Sequence, residues 1–268
     1  MLESTFGTDQ AVVGMVHLPA LPGAPKFDGS FDELLERARR DARALDAGGV
    51  DGVMVENFGD APFYPDDVPK HVVASMTRAA TAVVDEVDVP VGVNVLRNDG
   101  EAAISAAAAA GADYVRVNVH TGARVTDQGV IEGRAHETVR LRDRLDADVA
   151  IMADHDVKHS AALADDEFTA ESMADGVERG LADAVIVSGP GTGAAVDESD
   201  LRRAAERREA YGLDVPLFVG SGVTAESVGE LLRYADGVIV GTALKEGGDV
   251  DAAVSTARVR ELVDAATE

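Results

Sequence analysis

Eight short apolar runs punctuate the chain: AVVGMVH (11 to 17), GVMVEN (52 to 57), VGVNVL (91 to 96), YVRVNVH (114 to 120), VAIMAD (149 to 154), AVIVS (184 to 188), LFVG (217 to 220) and GVIVG (237 to 241). Runs of this length, rich in Val and Ile and bounded by turn residues, predict strands. Helix-like stretches lie between and after them, at 31 to 49, 68 to 87, 100 to 111, after Arg134, and at 166 to 180, 197 to 212, 225 to 235 and 250 to 266. Several begin after Ser, Asp or Thr and several end at Gly, the signals that start and stop helices. Strict alternation of strand and helix implies parallel strands joined by crossover helices. Eight such units in 268 residues predict a closed (β/α)8 barrel, the TIM barrel, rather than an open doubly wound sheet. No linker or low-complexity segment divides the chain, so residues 1–268 are expected to form one barrel domain.

Composition narrows the classes of function. The 49 acidic and 24 basic side chains leave a formal net charge of −25, which repels nucleic acid and anionic lipid over most of the surface. The surplus resembles the surface of halophilic proteins. Recurrent apolar runs argue for a packed fold over a disordered one. Cysteine is absent, which removes disulfides and thiolate ligands. No apolar run approaches the ~18 residues of a membrane span, and the first ten residues lack the basic start and apolar core of a signal peptide. A cytoplasmic protein with no integral membrane segment is expected, and a homo-oligomer by the general habit of soluble enzymes.

In a barrel of this kind the chemistry sits where the strands end and the following loops begin. The four lysines and six histidines all fall at strand ends or in the segments after them. Alternation along the strands then sorts the side chains by face. Arg116, Asn118 and His120 share one face of the fourth strand, opposite its valines. Helices cover the outside, so the apolar face points outward and Arg116 inward. By the same argument Glu56, Asn94 and Asp154 point inward. Buried charges of this kind are costly unless paired. They form either a closed ion-pair network, Arg116 with Glu56 and Asp154, or a polar floor for a substrate. In the second reading one carboxylate serves as general base and the other stays ionised.

The segment ADHDVKHS (153 to 160) admits three roles. A Schiff-base Lys158 is disfavoured by Asp154 and Asp156, which hold an ammonium charged. A metal on Asp154 with His155 or His159 lacks the helical spacing of known sites. A cation facing substrate oxyanions is the preferred role for Lys158. No motif specifies a cofactor, and Mg²⁺ is the one ion left open.

The stretch SGPGTG (188 to 193) matches neither GxGxxG nor a Walker loop. Its context is more telling. The seventh strand ends in VGSGVT and the eighth in VGTALK, and in phosphate-binding barrels those two loops present backbone N–H groups to the anion. Gly220, Ser221, Gly222, Gly241 and Thr242 occupy these places, with Ser188, Gly189, Gly191 and Thr192 on the adjoining side. A phosphorylated small-molecule ligand is therefore expected.

GMVHLPALPGAP (14 to 25), ENFGDAPF (56 to 63), GVNVLRND (92 to 99) and VRVNVHTGARVTDQGVIEG (115 to 133) together resemble the BtpA/SgcQ family. The likeness continues through ADHDVKHS, SGPGTG, VGSGVT and VGTALK. It implies a ribulose-phosphate-binding barrel and a shared cleft holding Glu56, Asn57, Asn94, Arg97, Asn118, His120, Asp154 and Lys158. Many members of that family carry histidine where this chain has Asp156, and the family's name derives from photosystem I biogenesis.

Three functions follow. The first is an enzyme acting by acid/base chemistry on a small phosphorylated sugar or nucleoside-derived phosphate, as an isomerase, lyase or hydrolase, with Glu56, Asn94, Arg116, Asn118, Asp154 and Lys158 at the reacting centre. His17, Asn57, Arg97 and His120 would bind the substrate. The second is a non-catalytic assembly factor on a barrel scaffold. The third is prenyl transfer to a glycerol phosphate, which would need a long apolar groove.

Overall fold

The structure, a computed structural model, describes residues 1–155, 157, 159–163, 172–189 and 195–267. Eleven strands occur among these residues, eight of them closing a parallel barrel. The barrel strands are β1 (Ala11–His17), β2 (Gly52–Glu56), β3 (Val91–Asn94), β4 (Tyr114–Val117), β7 (Ala150–His155), β9 (Ala184–Val187), β10 (Leu217–Val219) and β11 (Gly237–Val240), and β11 pairs back onto β1. The eight-stranded TIM barrel read from the sequence is the fold observed.

Outward-facing valines of the strands meet α1 (Phe31–Asp46), α2 (Lys70–Val84), α3 (Gly100–Ala110) and the other helices in one continuous apolar layer. Helix starts are capped as their sequences suggest. Ser30 and Glu33 form a reciprocal capping box at α1, and Asp99 accepts from the Ala102 N–H at α3. Inside, the lower barrel is packed with Val13, Met15, Met54, Tyr114, Met152, Ile186, Phe218 and Ile239. The N-terminal turn Leu2–Phe6 plugs the bottom, setting Phe6 edge-on to Tyr114 at 5.2 Å. Gly92 makes room for the Tyr114 ring, because a Cβ there would lie 2.1 Å from it.

The bottom of the barrel carries a device repeated four times. Asp51, Asp113, Asp183 and Asp236 stand just before β2, β4, β9 and β11, every second strand of the barrel, in V-D-G-V, A-D-Y-V, A-D-A-V and A-D-G-V. Each carboxylate accepts the N–H of a residue on the preceding strand, from Val12, Val91, Ile151 and Leu217, at 2.7–2.8 Å. Each aspartate's own N–H donates back to that same residue's carbonyl at 2.8 Å. Two hydrogen bonds per clamp satisfy backbone groups that the ladder leaves open where the strands begin.

Three departures from the sequence pattern shape the upper rim. The run 114 to 120 leaves the barrel after Val117, because the Val119 N–H is taken by the Asn98 side chain at 2.7 Å instead of a neighbouring strand. The chain then forms an antiparallel hairpin, β5 (Ala123–Thr126) and β6 (Gly129–Glu132), joined by β8 (Ser160–Ala162) into a separate three-stranded sheet. Its Ile131 is buried with Val119 and Val157. The helix expected at 225 to 235 reduces to the single turn Val228–Leu231, preceded by a hydrogen-bonded Thr224–Ser227 turn. The helix expected at 166 to 180 is described only from Ser172, as a short helical turn followed by a π-helical turn.

Candidate active site

Directly above the apolar barrel filling lies a polar layer, and its position follows from strand register. His17 pairs with Glu56, Glu56 with Asn94 and Asn94 with Arg116 around the ring. Side chains two residues lower on the same strands are the interior methionines and Tyr114, so parity alone turns these polar groups inward. They are almost completely buried, Glu56 at 3% and Arg116 at 2% exposure.

Arg116 and Asp154 form a two-pronged ion pair, Nε to Oδ1 and Nη2 to Oδ2, both at 3.0 Å. Asn118 donates to the same carboxylate at 2.8 Å, and Asn94 donates to Asn118 Oδ1 at 3.2 Å and to the Arg116 carbonyl at 2.9 Å. Burial by itself would lower the Arg116 pKa. The ion pair and hydrogen bond with Asp154, aided by the charge of Glu56, outweigh it and hold the guanidinium above its ordinary value. This matches half of the expected network: Asp154 is the partner of Arg116. Among the described residues Glu56 is paired instead with His17 Nε2, at 3.8 Å, and His17 is stacked on Phe58 at 4.6 Å.

Two cavities meet at Glu56 and His17, which line both. One, of about 370 Å³, is walled by Arg116, by residues 220–226, by Gly241, Thr242 and Ala243, and by Arg258 of the last helix, α8 (Thr256–Thr267). Gly220 sits where a Cβ would fall 2.5 Å from Ser188 Oγ, and Gly222 has φ 69°, a backbone turn open to glycine. The other cavity, of about 640 Å³, is lined by Leu18, Phe58, Phe63, Leu96, Arg97 and Asn118 among others. Burial lowers the Arg97 pKa, opposed by the charges of Asp154 and Glu56.

Several expected residues are engaged elsewhere. Asn57 lines neither cavity. Its Oδ1 accepts the Leu96 N–H at 2.7 Å and its Nδ2 donates to Asp60, which in turn accepts the Leu21 N–H at 2.7 Å, so Asn57 and Asp60 together tie the loops after β1, β2 and β3. His120 also lines neither cavity. Its Nε2 lies 2.7 Å from the Gly180 carbonyl, and burial lowers its pKa. The Gly189 N–H donates to Ser221 Oγ at 2.9 Å, and Ser188 Oγ lies 3.5 Å from Arg116. The expected gathering of basic residues at the rim is incomplete. Lys245 is fully buried beside Asp41 of α1 at 3.2 Å, and His136 lies exposed on the flank of α4 (Ala135–Arg144). Lys158, Gly191 and Thr192 lie outside the described residues. Among the described residues no group of three or more His, Asp or Glu is placed to hold a metal ion.

Arg258 is one of the cavity residues that sequence reasoning missed, as are Phe58 and Phe63 of the other cavity. Arg258 belongs to the outer helix α8, whose first turn leans over the glycine-walled cavity, where it donates to the Ala243 carbonyl at 2.7 Å.

The fold and the buried polar layer together define a TIM-barrel protein with a two-lobed cleft at the C-terminal ends of its strands. Residues 8–268 match the BtpA family, and the chain belongs to it. It is 50% identical over 257 residues to an uncharacterized protein of Thermococcus kodakarensis, spanning 96% of this chain and 95% of that one. It is 43% identical over 267 residues to the photosystem I biogenesis protein BtpA of Synechocystis, spanning 100% of this chain and 91% of the relative. Among solved structures it resembles tryptophan synthase of Mycobacterium tuberculosis, with TM-score 0.61 and 20% identity over 99% of this chain and 96% of the other. It also resembles N-(5'-phosphoribosyl)anthranilate isomerase of Pyrococcus furiosus, with TM-score 0.55 and 16% identity over 96% and 98%. At these identities the structural likeness concerns the fold.

Proposed function

We propose that this protein is an enzyme acting by general acid/base chemistry on a small phosphorylated sugar or nucleoside-derived phosphate. The observation that carries the reading is the meeting of two cavities at one buried carboxylate, Glu56, with a glycine- and hydroxyl-walled lobe on one side of it. Glu56 is the acid/base group, with His17 beside it. Asp154 is a positioning residue, because its oxygens are occupied by Arg116 and Asn118. Arg116 and Asn118, fixed by Asp154 and Asn94, orient a carbonyl or hydroxyl, a preorganised arrangement that needs no rearrangement as charge develops. Backbone N–H groups around Gly220, Ser221, Gly222, Gly241 and Thr242 receive the phosphate. With only one helical turn after β10, the loop amides rather than a helix dipole supply that positive potential. The names of the two structural neighbours include an isomerase of a phosphoribosyl compound, which agrees with this reading at the level of fold.

Thermal unfolding in multimolar KCl, with inorganic phosphate, ribose 5-phosphate, ribulose 5-phosphate and glycerol phosphates each added with and without Mg²⁺, tests the proposal. A ligand at a hundredfold excess over its dissociation constant stabilises by about 2.7 kcal/mol. A raised midpoint abolished by Thr242→Val and Gly222→Asp is the expected result. Silence across the panel overturns the proposal and favours a scaffold role, the reading that the name of the Synechocystis relative suggests.

A further inference from the structure

We infer that the ligand of this cleft is a nucleoside 5′-monophosphate or a compound of the same build, with a phosphate, a sugar and a planar ring in line. The inference rests on the phosphosugar reading above and narrows it. The glycine-walled lobe, at about 370 Å³, already falls within the ~300–1,000 Å³ of pockets that hold drug-sized ligands. A bare sugar phosphate is accommodated there and leaves the second lobe, about 640 Å³, without an occupant.

The second lobe joins an apolar aromatic wall to a charged rim that includes Lys26, Arg37, Asp127 and Asp251. Leu18, Phe58, Phe63 and Leu96 present carbon along its wall. Sugar hydroxyls brought against the apolar part of the wall lose water without gaining hydrogen bonds there. A planar heteroaromatic ring buries its faces against the same side chains and keeps its polar edge for hydrogen bonds. Arg97 and Asn118, which also line the lobe, are the groups able to meet that edge. The shared wall decides the order of the parts. Glu56 and His17 line both lobes, so a ligand spanning them lays its sugar across the Glu56 carboxylate. Chemistry then falls on the sugar, between phosphate and ring.

Titration calorimetry of the full chain in multimolar KCl, using inorganic phosphate, ribose 5-phosphate, 5′-AMP and 5′-UMP, tests this. At least one nucleotide is expected to bind about tenfold more tightly than ribose 5-phosphate, the scale of one aromatic stacking contact. Phe63→Ala should remove most of that advantage and leave ribose 5-phosphate affinity unchanged, while Thr242→Val should weaken every phosphorylated probe. Equal affinity for ribose 5-phosphate and both nucleotides, or an advantage that survives both Phe63→Ala and Phe58→Leu, overturns the inference and leaves the phosphosugar enzyme standing. Failure of every probe overturns the underlying reading as well.

Discussion

Glu56 and Asp154 are both buried carboxylates of one polar layer, yet their surroundings assign them different work. Among the described residues, Arg116 and Asn118 supply the hydrogen bonds to Asp154. Asp154→Asn leaves a buried guanidinium uncompensated, and a loss of about 3–5 kcal/mol in unfolding free energy is expected. Glu56 lines both lobes and, among the described residues, meets its ion-pair partner His17 only at 3.8 Å. Glu56→Gln should therefore unfold close to the native midpoint while losing about 10²–10⁴-fold in turnover. Circular dichroism melts beside steady-state kinetics separate the two cases, and a Glu56→Gln protein of full activity would move the acid/base role elsewhere. Burial depresses the His120 pKa. As pH falls below about 6.5 the unfolded chain binds the proton first. The stabilisation by the neutral ring is thus complete above that pH and is lost as pH falls toward the folded value. Denaturant titrations between about pH 7.5 and 5.5 should show falling stability, and His120→Gln should flatten the slope. Parity sufficed to turn Glu56, Arg116 and Asp154 inward. It could not show that the side chains of Asn57 and His120 are engaged by other parts of the chain, because those partners depend on how the loops fold over one another.

At the scale of elements, the eight barrel strands were legible because each is a compact Val- and Ile-rich run. Their ends were less so. β3 and β4 stop where asparagine side chains, Asn57 and Asn98, supply acceptors to Leu96 and Val119 in place of a strand. The β5–β6 hairpin carries its own signal, ARVT and GVIE around a short turn, but it lies within a stretch whose charged and polar residues first suggest a loop. Arg258 was hidden for a different reason: a helix that reads as an outer layer element reveals nothing of what its first turn overhangs. The aspartate clamps make a testable element. Asp113→Ala leaves the Val91 N–H without its acceptor, and a loss of about 1–3 kcal/mol is expected from the desolvated donor. Hydrogen exchange at Val91 should accelerate in the same variant, whereas an unchanged rate would mean that the clamp adds nothing to the strand pair.

The whole molecule carries its excess of 25 negative charges on a surface where acidic side chains outnumber basic ones. Self-repulsion of this size opposes the compact state, and the distance over which it acts falls from ~10 Å at 0.1 M salt to ~3 Å at 1 M. The melting midpoint should accordingly climb as KCl is raised from about 0.1 M into the molar range, most steeply at the low end. A midpoint indifferent to KCl would mean that the charge is already offset by pairing, and would remove the halophilic reading of the surface. Among the described residues no helix is long and apolar enough to cross a membrane.

The four clamps also divide the barrel strands into four pairs. Each clamp joins two consecutive barrel strands, β1 with β2, β3 with β4, β7 with β9 and β10 with β11, and none crosses from one such pair to the next. Residues 8–10 and 263–267 border a common groove, so the two ends of the chain lie near each other. A circular permutant cut between pairs, at residues 86–89, keeps all four clamps within contiguous chain. A permutant cut within a pair, at residues 47–49, forces one clamp to close between opposite ends of the chain. The first should refold faster than the second at equal final stability, a signature that the barrel assembles from two-stranded parallel quarters before its ring closes.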